Sequence, residues 1–310
     1  MNKRFKNKDY ILCFKLIKKN FFFFLKNRII KYIIIFIFFI WANKYKKENI
    51  KIRSKNKYKI IGISYSNEEY IAQLNLNKKS ALEIGKVDKY YEYSPNDIDN
   101  EFKEKNKNIL IRKRGNGYWL WKPYFMLKTL KEKLNDGDYL IYTDACILYK
   151  DNVKILVNFL INKKADMWLY RTDFLEKFYT KRDTFILLGA DSPFYTETKQ
   201  FNAAIQIYKK SQFTEIFLEE LLYYSQDKRI ITDDPNTLLL PNLEGFIDHR
   251  HDQSILSILT KKFSQVNSGK ANYDINLLNN LKNDMPFIFC HYRRIKFKDY
   301  DDLKKICNMI

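Results

Sequence analysis

The 310-residue sequence predicts an α/β domain with a mainly parallel central sheet flanked by helices, preceded by an N-terminal hydrophobic helix. Three observations lead to this fold class. After residue 58, short β-branched and aromatic runs alternate with longer helical patterns, which indicates a sheet covered on both faces. One of these runs, DYLIYTDAC at 138–146, stays apolar until it meets an acid. The longest apolar run, at 29–42, lies within a strongly basic stretch.

Each predicted strand is a short run that ends at polar or turn-forming residues. Strands are predicted at 59–65, 88–94, 138–146 and 165–171. Helices are predicted at 69–85, 121–134, 152–162, 211–226 and 252–263, the second with Pro123 in its first turn. Ligands of such sheets bind outside the carboxyl ends of the strands. The sequence therefore places Asp144, which closes the 138–146 run, on the ligand side of the sheet.

The net charge of +20 is unevenly distributed along the chain. Residues 1–59 contain 18 Lys and Arg against two acids, a net charge of +16, whereas residues 60–310 carry only +4. A nucleic-acid-binding protein is expected to carry its positive excess on a folded face, so this distribution disfavours that class. Basic flanks beside an apolar run favour a membrane surface instead.

The N-terminal part divides by composition into three segments. We expect a basic arm at 1–27, a membrane anchor at 28–43 and a basic stem at 44–57, followed by the folded domain at 58–310, and hence a membrane location. The apolar run is shorter than the roughly 20 residues of a typical spanning helix, and Lys31 interrupts it. An interfacial amphipathic segment or a cleaved signal therefore remains an alternative to the favoured single-pass anchor. Basic residues on both sides leave its orientation open.

The cysteines show no spacing typical of a disulfide framework or a metal site. The chain has four of them, Cys13, Cys146, Cys290 and Cys307, without a CxxC pair. So few cysteines in so long a chain indicate free buried thiols.

Two segments near the middle of the chain carry candidate phosphate and metal chemistry. Asp144, in YTDAC, could hold a divalent cation against a diphosphate, although an acid closing a strand is often only a turn former. The segment RKRGNGYWLWKP at 112–123 combines three cations, a Gly-x-Gly turn and a helix start that includes Lys122. Cations and backbone amides at a helix start suit phosphate, but the aromatics could equally form a buried cluster.

Three later segments place amides, acids and cations together. FNAA at 201–204 puts Asn202 beside two small residues, although it also reads as an ordinary strand start. HRHDQSILSIL at 249–259 starts a helix with Asp252 and Gln253; in the simpler interpretation Asp252 caps the helix and the two histidines are solvated. FIFCHYRRIKF at 287–297 brings three cations just after His291, which would suit a diphosphate, whereas a lone histidine is more often structural.

In order and spacing these segments resemble A-type-fold glycosyltransferases, particularly family 8 and related bacterial capsule and lipopolysaccharide enzymes. YTDAC is similar to that family's YLDAD, FNAA to its FNAG, HDQS to its DQD, and CHYRR to its C-terminal histidine-plus-cation motif. GYWLWKP followed by YTDA also resembles a set of polysaccharide-synthesis transferases. The resemblance covers roughly residues 58–296. It departs from the family at Cys146, which replaces the second acid of the metal motif, and at Ala204, which replaces a glycine.

The resemblance implies a role for each matching residue. Asp144 and His291 would bind Mn²⁺ or Mg²⁺ and should therefore converge in one cavity. The residues implied to contact the donor sugar or its acceptor are Asn202, Asp252 and Gln253; those implied to contact the diphosphate are Lys122, Arg293 and Arg294; and Ser64 and Ser66 should lie near the nucleotide.

The resulting hypothesis is a metal-assisted glycosyltransferase that moves a sugar from a nucleotide-diphosphate sugar to a glycan, lipid-linked or protein acceptor near a membrane. Cys146, a soft ligand poorly matched to Mg²⁺, leaves a catalytically inactive protein of the same fold as one alternative. A nucleic-acid-binding protein is the other alternative, although the near-neutral charge of residues 60–310 disfavours it.

Overall fold

The computed structural model describes residues 58–266, 288–292 and 299–309. The predicted arm, anchor and stem at 1–57 lie outside the described residues, as do Arg293 and Arg294. Within the described ranges, no helix combines the length and apolar character needed to cross a bilayer.

A five-stranded sheet forms the centre of the domain. Its strands are β1 (Ile60–Tyr65), β2 (Lys89–Tyr93), β3 (Tyr139–Thr143), β5 (Met167–Leu175) and β6 (Lys199–Lys209), in the order β2-β1-β3-β6-β5. The first strand pairs in parallel with β2 and β3, whereas β6 is antiparallel to both β3 and β5. Four strands thus run in one direction, so the sheet is mainly parallel, as predicted. The predicted 138–146 strand is the central one, and every residue of β3 is buried.

The reversed direction of β6 determines which of its residues reach the ligand side. In the β3–β6 register, Tyr139 lies opposite Lys209 and Thr143 lies opposite Ile205. The start of β6 therefore lies beside the carboxyl end of β3. As a result, the FNAA segment at 201–204 extends past Thr143 to the same edge as Asp144.

Of the six long helices in the described ranges, the first five match predicted ones within a few residues, whereas the last was not predicted. They are α1 (Ile71–Glu83), α4 (Trp121–Lys133), α5 (Lys154–Lys163), α9 (Gln212–Ser225), α11 (Asp252–Val266) and α12 (Tyr300–Met309). Shorter helices are α2 (Asn100–Lys105), α3 (Lys107–Leu110), α6 (Glu176–Tyr179), α7 (Arg182–Leu187), α8 (Pro193–Thr196) and α10 (Lys228–Ile231). The start of α9 is fixed by Ser211, whose hydroxyl accepts a hydrogen bond from the Thr214 amide.

A two-stranded antiparallel sheet lies at the carboxyl end of β3. It consists of β4 (Ile147–Tyr149) and β7 (Phe289–His291). A disulfide joins Cys290 of β7 to Cys307 of α12, which are 17 positions apart, with a Cα–Cα distance of 5.8 Å. The prediction of free thiols is wrong for this pair, because the tertiary fold brings together two cysteines whose spacing has no signature. Cys146 is free and buried, as predicted.

Candidate active site

Asp144 lies at the carboxyl end of β3 and is held by both its backbone and its side chain. Its amide donates to the carbonyl of Ala204 at 2.8 Å. Its Oδ1 accepts a hydrogen bond from the buried Tyr142 hydroxyl at 2.5 Å. The carboxylate remains one-third exposed, at 33% of its side-chain surface. An acid at this edge of the sheet is thus both oriented and accessible.

Lys122, in the first turn of α4, lies between two carboxylates. Its Nζ is 3.3 Å from Oδ1 of Asp144 and 2.7 Å from Oδ2 of Asp252. The same ammonium donates to the carbonyl of Ala203 at 3.2 Å. Burial alone would lower the pKa of Lys122, but the charges of the two acids outweigh it and raise this pKa. Lys122 was predicted to contact the diphosphate. In the structure it is 3% exposed, and its ammonium group contacts the two acids and a backbone carbonyl.

Asp252, the first residue of α11, has an unusual protonation equilibrium. Burial disfavours its charged form, Lys122 favours it, and Asp144 opposes it; together they raise the pKa of Asp252 to about 6. Two acids share one buried ammonium, so the cluster carries a net negative charge once Asp252 is ionised. Protonation near neutral pH would therefore change the charge of the site.

The two amide residues meet the cluster at the main chain of Ala203 and Ala204. Gln253 accepts a hydrogen bond from the Ala203 amide through Oε1 at 3.3 Å, and donates through Nε2 to Oε1 of Gln200 at 2.8 Å. Asn202 accepts from the amide of Ala204 at 2.6 Å, so its carbonyl stabilises the start of β6. Asn202, Asp252 and Gln253 are thereby brought together with Asp144 and Lys122.

The two serines lie where the strand order requires, at the carboxyl end of β1 beside β3. Both are buried, with Ser64 at 1% exposure and Ser66 at 4%. The amide of Ser66 donates to the carbonyl of Tyr93 at 3.0 Å. Between the serines, Tyr65 stacks on Trp121 with ring centroids 3.8 Å apart. These serines contribute mainly to the interior in this structure.

A strained loop precedes α4. Five consecutive residues, from Gly115 to Trp119, have positive φ angles of 57°, 51°, 91°, 53° and 60°. A Cβ at Gly115 would lie 2.4 Å from the Trp119 ring, so glycine is required there. The side-chain amide of Asn116 donates to the Tyr65 hydroxyl. Backbone strain of this kind is concentrated at functional sites, and here it fixes the approach to Lys122.

The arginines of the same segment pair with acids. Arg114 forms ion pairs with Asp233 and Asp248, each at 3.0 Å, and Arg112 lies 3.5 Å from Asp234. These cations therefore hold the 232–251 connection against the 112–119 loop. A phosphate bound by Arg112 or Arg114, as predicted, would have to compete with these acids.

The histidines before α11 are buried, so the interpretation of solvated histidines is wrong. His249 accepts from the Lys181 amide through Nδ1 at 3.3 Å, which leaves Nε2–H to donate to the Ile230 carbonyl at 2.8 Å. Burial lowers the pKa of His249 well below its ordinary value. It also lowers the pKa of His251 to about 4. Both rings are therefore neutral at physiological pH and serve packing.

His291 is exposed and lies in β7 opposite Ile147, three residues beyond Asp144. Cys146, in the connection between them, is 6% exposed and accepts from the Tyr292 amide through its carbonyl at 3.0 Å. In the described ranges, no group of three or more His, Cys, Asp or Glu could hold a metal ion. Oδ1 of Asp144 is also engaged by Tyr142 and Lys122. Binding of a divalent cation by Asp144 with His291 stays a prediction.

Tyr142 and Gln200 are the polar contacts of the site that the sequence did not single out. Tyr142 precedes Asp144 by two positions, so strand alternation would place both on one face. The two-residue alternation of a strand was therefore a signal from which the contact between Tyr142 and Asp144 could be predicted. Gln200 is fully buried, and its role depends on tertiary contacts with no local pattern.

Solved structures similar to this chain include several glycosyltransferases. No protein-family profile matches the chain, and no curated protein matches it. Mouse xyloside xylosyltransferase 1, in its apo form, is 13% identical with a TM-score of 0.39, over 68% of this chain and 84% of that one. The galactosyltransferase LgtC, in complex with donor and acceptor sugar analogues, is 14% identical with a TM-score of 0.41, over 80% and 94%. GlyE of Streptococcus pneumoniae is 16% identical with a TM-score of 0.38, over 82% and 61%. At such TM-scores the likeness does not assign the chain to a family.

Proposed function

We propose that this chain is a glycosyltransferase that moves a sugar from a nucleotide-diphosphate sugar to a glycan, lipid-linked or protein acceptor. The observation that carries the proposal is the cluster of Lys122, Asp144, Asp252 and Gln253 around Ala203. Lys122 and Ala203 are 81 positions apart, and Ala203 and Gln253 are 50 apart. Separate sequence motifs therefore meet at one edge of the sheet, where ligands of such sheets bind.

The chemistry of the cluster suits sugar transfer. As the bond between the sugar carbon and the diphosphate oxygen breaks, its electron pair leaves with the diphosphate and positive charge develops on the sugar. The acceptor hydroxyl forms the new bond to that carbon, and its proton passes to an oxygen of the departing diphosphate or to water. Fixed negative groups beside the carbon stabilise this charge without reorganising. Asp144, Asp252 and the carbonyl oxygen of Gln253 are such groups, and Asn202 completes the sugar-binding side.

The diphosphate requires positive charge that the described cluster does not supply, because Lys122 is paired with the two acids. Arg293 and Arg294 are the proposed partners on the grounds of sequence alone. No step of the reaction is assigned here to a metal ion.

The membrane part of the proposal rests on the sequence of residues 1–57, with an anchor at 28–43. Deleting residues 1–57 is expected to move the protein from the membrane fraction to the soluble fraction. A truncated protein that still sediments with membranes would refute this assignment.

The test of the function uses the purified full-length chain with a panel of nucleotide sugars. Release of nucleoside diphosphate and transfer to sugar acceptors are measured with Mn²⁺ and with a chelator. Thermal stabilisation by each donor is measured in parallel. At least one donor should stabilise the protein and be turned over, and Asp144→Asn should abolish turnover. Stabilisation without turnover would support the alternative of an inactive protein with the same fold. The absence of both stabilisation and turnover would refute the proposal.

A further inference from the structure

A buried ion pair lies behind the cluster and is not used by the chemistry described so far. Nζ of Lys261 in α11 is 2.6 Å from Oε1 of Glu176 in α6, with side-chain exposures of 2% and 0%. Breaking a buried pair costs several kcal/mol, whereas an apolar replacement of both partners is often tolerated. This pair is therefore a feature whose role can be tested without unfolding the protein.

The other oxygen of Glu176, together with the more distant Tyr179 carbonyl at 3.4 Å, fixes the orientation of Gln200. Oε2 accepts from Nε2 of Gln200 and from the Thr180 hydroxyl, both at 2.9 Å. An ionised carboxylate accepts hydrogen bonds and cannot donate them. The amino group of Gln200 must therefore face Glu176, and its carbonyl oxygen must face away, towards Gln253.

The orientation passes from Gln200 to Gln253. The carbonyl oxygen of Gln200 accepts from Nε2 of Gln253 at 2.8 Å, so the amino group of Gln253 faces inwards. Its Oε1 then lies on the side of Ala203, whose carbonyl also binds Lys122. We propose that Glu176, held by Lys261, and Gln200 are positioning residues that turn the carbonyl oxygen of Gln253, and not its amino group, towards the transferred sugar. This inference rests on the proposed function.

The orientation matters because the two ends of an amide have opposite partial charges. A carbonyl oxygen stabilises positive charge developing on the sugar carbon, whereas an amino group would oppose it. A dipole that is already oriented before the reaction contributes most, since no free energy is spent on turning it. A reversed amide would keep the volume of the site, would place the amino group of Gln253 against the Ala203 N–H, and would lower kcat more than it alters substrate binding.

The test uses the double variant Glu176→Gln/Lys261→Met in the full-length chain. It removes both charges with little change of volume, and a glutamine at 176 can present either end of its amide to Gln200. We expect kcat to fall about 10- to 100-fold, as for the loss of one preorganised group. The donor KM should change by less than about threefold, and the melting temperature should stay equal or rise.

Two further variants separate positioning from general damage. Gln200→Met removes the connecting amide and should reproduce the fall in kcat, which provides a second test should the double variant fold poorly. Lys210→Met/Glu215→Gln removes an ion pair of 2.6 Å just beyond the far end of β6 and should leave kcat unchanged. In a Gln253→Ala background, the double variant should cause no further loss, because the group it orients is gone.

The outcomes distinguish the two proposals. Absence of transfer by the wild-type protein would refute the proposed function. An active wild type with unchanged kcat in the folded double variant and in Gln200→Met would overturn the positioning inference alone. An equal further loss in the Gln253→Ala background would also overturn it.

Discussion

Two aspartates flank the central strand, and they differ in what their oxygens contact. Asp138, before β3, is 6% exposed and accepts from the amides of Lys59 and Asn135 at 2.8 and 3.0 Å. Asp144, after β3, is one-third exposed and contacts the side chains of Tyr142 and Lys122. An acid whose two oxygens accept main-chain hydrogen bonds stabilises the fold. One that faces side chains and solvent remains available for chemistry.

The largest effect on stability is expected from Lys122→Met, because it removes the cation that pairs with the acids at the carboxyl end of β3. Asp252 would be left buried without its partner, which costs roughly 3–5 kcal/mol of unfolding free energy. Lys122 lowers the pKa of Asp252, so its removal should raise this pKa above the wild-type value of about 6; protonation should then make the loss smaller at pH 5 than at pH 8. Denaturant unfolding at both pH values measures this. Equal losses at the two values would argue against an ionised Asp252.

Asp144→Asn should have the largest effect on activity alone. Transfer should fall about 100-fold or more, as when a preorganised charged group is lost. The melting temperature should change little, since the side chain is partly exposed and contributes little packing. Initial rates and thermal unfolding of the same preparation provide the comparison. A variant that keeps more than about a third of the wild-type kcat would show that Asp144 is structural, like Asp138.

Asp138→Asn should show the reverse pattern. An amide group in place of one carboxylate oxygen would face a backbone N–H, and this loss of a buried hydrogen bond costs about 1–3 kcal/mol. The kcat of the folded fraction should stay close to that of the wild type. Denaturant unfolding and rates measured well below the transition separate the two quantities. A fall in kcat without destabilisation would remove the distinction between the two acids.

The smallest expected effect is on the pH profile. Activity should fall as the pH drops through about 6, because Asp252 takes up a proton there and loses the negative charge that pairs with Lys122. Because folding raises this pKa, protonating Asp252 favours the folded state, so this group should not lower the melting temperature between pH 7 and 6. The acid limb should disappear in Asp252→Asn. A limb that persists in this variant would belong to another group.

The sequence predicted β1, β2, β3, β5 and five of the long helices, because each shows a local hydrophobic period, but it did not predict β4 or α12. It also predicted that Asp144, Asn202, Asp252 and Gln253 belong to one site, since short motifs carry them. The direction of β6 could not be predicted, because pairing direction depends on distant partners and not on local pattern.

The buried polar contacts were missed for a related reason. Lys261 and Glu176 are 85 positions apart, and isolated charged residues are ordinarily assigned to the surface. The Cys290–Cys307 disulfide and the burial of His249 and His251 likewise depend on tertiary contacts. The local sequence around these cysteines and histidines does not indicate which residues they contact.

Ala203 brings a consequence for how substitutions at this edge of the sheet are tolerated. Its amide donates to Gln253 and its carbonyl accepts from Lys122, so the main chain of this residue and not its side chain joins the cluster. Replacing the methyl group leaves both hydrogen-bonding atoms in place, and only proline removes the donor. A single-residue insertion in β6, by contrast, would put a different peptide group there and reverse the faces of the strand. Because Ala203 is 3% exposed, only glycine and serine test this without overpacking, and these two substitutions should be tolerated far better than an insertion or deletion.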